Sequence, residues 1–153
     1  MITLAGVDTT EHTCDCDRCK KMCEGNPCWP TPKEARMMIN AGYGDRLMLD
    51  WWADGGYDSD DILLLCPASE GYEGKMAPLI DRLSYFQEKG PCVLHDSHGR
   101  CMLHSTGFKP LEGRIAIHQG DHDGLHEAMA ESWNNEEAQE LAQSWAEQHK
   151  AYV

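Results

Sequence analysis

The chain reads as a mostly α (α+β) fold: one small domain built round a Cys-rich metal-binding loop, with a short β-hairpin and C-terminal helices. Three observations predict this. Cys14, Cys16, Cys19, Cys23 and Cys28 fall within fifteen residues that follow neither a helical nor a strand period. Two short apolar runs, 92–95 and 100–104, flank the turn DSHG. In the last third, Ala138, Leu141, Ala142 and Trp145 recur at helical spacing. A length of 153 residues suits one domain and lets it bury a core of its own.

The elements follow in order. Residues 1–13 read as a loose N-terminal arm, and 14–153 as the single domain. Residues 14–30, with Gly25, Asn26, Pro27 and Pro30, form the Cys-rich loop. A helix should follow, because Thr31 is a good N-cap, Pro32 fits the first helical position and Glu34 completes a capping box. Ala35, Met38, Ile39 and Gly42 make its inner stripe, and Gly42 or Gly44 ends it. The spacing of Leu47, Met48, Trp51 and Trp52 predicts a second short helix over 45–53. After a loop at 54–61, ILLLC (62–66) reads as a buried strand stopped by Pro67. Residues 68–91 are irregular, with a short helix at 78–88. The hairpin at 92–104 brings Cys92 and Cys101 onto neighbouring strands, and 105–114 is a loop. Asp121 or Asp123 caps a helix ending near Trp133, and Asn134 caps another running to about Lys150.

Charge narrows the function classes. The formal net charge is −13, so direct nucleic-acid binding is disfavoured for want of a basic footprint, and a peripheral membrane role is disfavoured on the same ground. ILLLC is the longest apolar run, far below a membrane span. MITLAGVDTTEH lacks the basic start of a secretory signal, which predicts a cytoplasmic protein. In that reducing compartment the eight cysteines are metal ligands or redox groups rather than disulfides.

Thiolates are the soft ligands chosen by zinc, iron–sulfur clusters and Cu(I). Cys16-x2-Cys19 has metal-knuckle spacing; Cys19-x3-Cys23 and Cys23-x4-Cys28 are looser. The preferred metal set is Cys16, Cys19, Cys23, Cys28, Cys92 and Cys101. Six ligands exceed one tetrahedral site, which means two sites or some idle members. Cys66, within an apolar run, reads as a buried core thiol, and Cys14 as peripheral. His95, His98 and His104 surround the hairpin, with Cys101-x2-His104 at ligand spacing. His118, His122 and His126 repeat every fourth residue, but Gly120 and Gly124 weaken a helix there and favour a solvated loop leading into a helix over a second metal site. No P-loop, GxSxG or HExxH motif is present. A Cys92 nucleophile paired with His95 or His98 ranks below a shared metal. Trp51–Trp52 is simplest as core, with a partner-binding aromatic surface as the functional alternative.

Three stretches, CDRCKKMCEGNPCWPTPKEA, LCPASEGYEGKMAP and CVLHDSHGRCMLHSTGFKPLEGR, together resemble the YkgJ-type zinc- or iron-chelating cysteine-cluster family over roughly residues 14–118. The resemblance makes Cys16, Cys19, Cys23 and Cys28 the early cluster, Cys92 and Cys101 the late pair, and Lys109–Arg114 the closing element. This chain departs from the pattern in its spread cysteines and in Gly113 where a cysteine precedes the final Arg; His104 or His118 would replace that ligand. What the resemblance implies is a bound metal and no particular reaction.

The leading expectation is therefore a small metal-binding protein, with zinc or iron in a structural or carrier role. An iron–sulfur enzyme or subunit, holding a 4Fe–4S cluster, is the second. The third is an acidic, zinc-stapled interaction or inhibitor protein, of the kind a phage carries, that binds a basic protein partner.

Overall fold

The computed structural model describes residues 2–11, 28–52, 61–77, 92–94, 110–115 and 124–151. The first helix, α1 (Pro32–Met38), starts where local chemistry dictates. The Thr31 side chain accepts from the Glu34 backbone at 3.3 Å, and the Glu34 carboxylate accepts from the Thr31 backbone at 2.9 Å. Ala35 and Met38 face inward. The helix widens into a turn over Ile39–Tyr43 and stops at Gly42, whose φ of 96° suits a residue without a Cβ.

Residues Leu47–Trp52 then form a strand, β1, not the expected helix, and pair antiparallel with β2 (Ile62–Pro67) in a register running from Leu47↔Pro67 to Trp52↔Ile62. The correction has a physical cause. The apolar positions fit a helix stripe, yet Leu47, Met48 and Leu49 are all fully buried, as suits a strand covered on both faces. The backbone groups of β2 also need a partner, and β1 is the nearest in sequence. On its other edge β1 takes Met76 through a parallel bridge at Leu49.

The expected hairpin at 92–104 lies largely outside the described residues. Of it, Cys92 makes an isolated antiparallel bridge to Ser69, and Val93 and Leu94 lie in a turn. The expected helix at 78–88 also lies outside them. A five-residue helix, α2 (Leu111–Ile115), occupies part of the expected loop 105–114. Its start is capped across space, by Glu34 accepting from the Leu111 backbone at 3.0 Å, which local sequence does not reveal.

The C-terminal helices appear as expected, with small shifts. Helix α3 (Leu125–Glu131) begins after Gly124, while Asp121 and Asp123 lie outside the described residues. Helix α4 (Glu136–His149) is capped by Asn135, one residue beyond the expected Asn134, whose side chain accepts from Ala138 at 2.9 Å. Helices α1, α3 and α4 pack on β2, and one apolar cluster joins them, with Trp133, Leu64, Leu65 and Met129 fully buried. Trp145 Nε1 donates to Gly44 at 2.9 Å, and the His149 ring, stacked on Trp145, meets Asp45 at 2.9 Å, so α4 is tied to the turn before β1. In the N-terminal arm, Leu4 and Val7 pack against the core and Ile2 crosses the start of α3, where a Cβ at Gly124 would lie 2.8 Å from its Cδ1. Among the described residues no helix is long and apolar enough to cross a membrane.

Candidate functional site

Of the predicted metal ligands, Cys28 and Cys92 are described; Cys16, Cys19, Cys23 and Cys101 lie outside the described residues, as do Cys14, His95, His98, His104, His118 and His122. Among the described residues no group of three or more His, Cys, Asp or Glu is arranged to hold a metal ion. Cys66 sits in β2 opposite Met48 and is fully buried, a core thiol as expected.

Cys28 is half-buried and is mounted on Trp29, which is only 2% exposed. Trp29 is held from four directions. Its Nε1 donates to Asp50 Oδ2 at 3.1 Å, and its backbone N–H donates to Glu112 Oε1 at 3.0 Å. Its ring stacks on His126 with centroids 3.5 Å apart and meets the edge of Trp52 at 6.3 Å. The next residue, Pro30, accepts from Trp133 Nε1 at 2.9 Å. Strand β1 supplies Asp50 and Trp52, α2 supplies Glu112, and α3 supplies His126.

Two carboxylates in this cluster have defined tasks. Asp50 is 1% exposed; its Oδ1 accepts from the Trp51 backbone at 2.9 Å while Oδ2 takes Trp29, so both oxygens exchange water for protein donors. Glu112 spans Trp29 and His126, its Oε2 lying 2.6 Å from His126 Nδ1. Nothing in the sequence pairs Trp29 with Asp50, Glu112 or His126, which come from separate elements. The available signal was Asp50 itself, a carboxylate inside the apolar run LMLDWW.

Cys92 belongs to the other end of the sheet. It bridges Ser69, two residues beyond the Leu47–Pro67 pair, whereas Trp29 packs at Asp50 and Trp52. Its Sγ accepts from the Leu94 backbone at 3.4 Å, and Val93 is pinned through Ala68 at 2.8 Å and Arg46 at 3.3 Å. Ser69 Oγ is buried with no hydrogen-bond partner among the described residues.

The closing Arg of the KPLEGR element has a structural task. Arg114 Nη1 donates to Glu34 Oε2 at 2.5 Å and its Nε donates to Glu11, so one guanidinium joins the arm, α1 and α2. Burial works against its charge, but the hydrogen bonds and attraction of Glu34 and Glu11 outweigh this and hold the guanidinium pKa above its ordinary value. No protein-family model, no curated protein and no solved structure matches this chain.

Proposed function

We propose that the chain is a small metal-binding protein of YkgJ type, in which Cys16, Cys19, Cys23 and Cys28, with the late Cys92 and Cys101, form the ligand set that holds zinc in a structural or carrier role. One observation carries the reading: five thiols within fifteen residues, the last of them mounted on the buried Trp29. The donor set fits the metal, because thiolates bind zinc strongly and residues 14–28 offer little apolar surface from which to build a core of their own. The attachment supports the same reading. Fixing Cys28 next to Trp29 gives the run of cysteines one held end, which reduces the conformational entropy lost when they gather. Cys92, buried at the far end of β1–β2 from Trp29, stands apart from Cys28, as a second site or an idle member of the set would, and the metal affinity of residues 14–28 becomes folding free energy.

Elemental analysis of protein prepared without oxygen tests the proposal. Stoichiometric zinc in a colourless protein is the expected result, and a brown protein with acid-labile sulfide would replace zinc by an iron–sulfur cluster. Cys19→Ser and Cys101→Ser should each lose metal and stability. Cys66→Ser should keep the metal while losing about 1–3 kcal/mol on denaturant unfolding, because it buries a hydroxyl in the core. A metal-free wild-type protein would sink the reading, and full metal in Cys101→Ser would remove the late cysteines from the site.

A further inference from the structure

Helix α2 is too short to be stable alone. An isolated helix is marginal in water below about 12–15 residues. Helix α2 has five, with Gly113 at its centre weakening it further. Side-chain contacts to other parts of the chain hold it in place. The Leu111 backbone donates to Glu34 Oε1 at 3.0 Å, and Arg114 Nη1 donates to Glu34 Oε2 at 2.5 Å, so one carboxylate of α1 grips both its first and its fourth residue. Arg114 Nε donates to Glu11 of the N-terminal arm. Glu112 accepts from the Trp29 backbone at 3.0 Å and lies 2.6 Å from His126 Nδ1.

These anchors differ in strength. Glu34 is fixed on its own account, since its Oε1 also accepts from the Thr31 backbone in the α1 cap. Trp29 is buried and is held by Asp50 as well. Glu11 is exposed, and among the described residues the arm's backbone hydrogen bonds stay local, from Gly6 to Thr3 and from Val7 to Leu4. An exposed ion pair is weak and is screened by salt, so the arm is the anchor most easily lifted. Arg114, which receives the arm, and Glu112, which receives Trp29, stand two residues apart on one short backbone. Unwinding α2 would therefore release both.

We propose that α2 is a conditional helix acting as a clasp: it orders only while its anchors hold it, so the attachment of the N-terminal arm and the Trp29–Glu112–His126 contacts strengthen and weaken together. This goes beyond the proposed function and needs no metal. The element with two states is α2 itself, and the coupling is reciprocal: what loosens the arm is felt at Trp29, and the reverse.

Native-state hydrogen exchange on the full chain tests this. Leu111 and Trp29, whose amides are bonded to Glu34 and Glu112, and Arg114, bonded to the Pro110 carbonyl at 3.1 Å, report on the clasp. Leu49 and Ala77, bonded to the carbonyls of Lys75 and Leu49, report on the sheet. In the wild type, added salt should speed exchange at the three clasp amides together and leave the two sheet amides unchanged, a readout that needs no variant to fold. Glu11→Gln, at an exposed position, should speed the same three by about two- to fivefold. Arg114→Met should speed them by about ten- to a hundredfold. A Trp29 amide that keeps its wild-type rate while Leu111 and Arg114 accelerate overturns the coupling. Clasp amides that change only in step with the sheet amides would mean that α2 opens by global unfolding, which overturns the clasp. So would clasp amides indifferent to both salt and Glu11→Gln.

Discussion

A single carboxylate organises the mount beneath Cys28. Asp50 is buried in a strand whose neighbours are apolar, a position that costs several kcal/mol unless its oxygens are satisfied. Trp29 and Trp51 satisfy them. Asp50→Ala would leave the buried Trp29 indole N–H and the part-buried Trp51 backbone N–H without this acceptor and should destabilise the protein by about 2–4 kcal/mol in urea unfolding. Asp50→Asn keeps one acceptor and should cost less. A loss under about 0.5 kcal/mol for the alanine variant would mean that water replaces the carboxylate freely. Lys150 presents the opposite case. It is the non-glycine residue with positive φ, 55°, among the described residues, and it closes α4 in the left-handed conformation. Glycine adopts that conformation without strain, so Lys150→Gly should stabilise the protein by about 0.5–1 kcal/mol, read as a rise in the unfolding midpoint.

At the scale of elements, legibility follows locality. Helix α1 was readable because Thr31, Pro32 and Glu34 carry its start within four residues, and α4 was readable because an asparagine cap precedes a clean apolar stripe. Strand β2 was readable as an uninterrupted aliphatic run. Strand β1 was not, because Leu47, Met48, Trp51 and Trp52 also satisfy the spacing of a helix, and only pairing with β2 decides between the two. Helix α2 was missed because its cap comes from Glu34, 77 residues earlier. The candidate site divides in the same way. The cysteine cluster is local and visible, whereas the Trp29 mount is assembled by β1, α2 and α3 and has no signature along the chain.

For the whole molecule, the sheet, α1, α3 and α4 share one core, so an event at one edge is felt as global stability. Metal binding at residues 14–28 should therefore raise the unfolding free energy by about 1.4 kcal/mol for each tenfold increase in free zinc above the dissociation constant. Calorimetry across a zinc series measures this, and Cys19→Ser should flatten the dependence. A midpoint indifferent to zinc in the wild type would separate the metal from the fold.

Gly124 gives the N-terminal arm a release point. Ile2 lies across it where a methyl group would intrude, and its φ of 80° already disfavours a side chain. Gly124→Ala should therefore push Ile2 aside and loosen Val7 while leaving the sheet in place, so the first ten residues become an early target of limited proteolysis. Glu11 travels with that strap, so its ion pair with Arg114 would be lost while the one from Arg114 to Glu34 stays. One hydrogen atom in place of a methyl group thus keeps the front of the chain closed over the helix that carries His126.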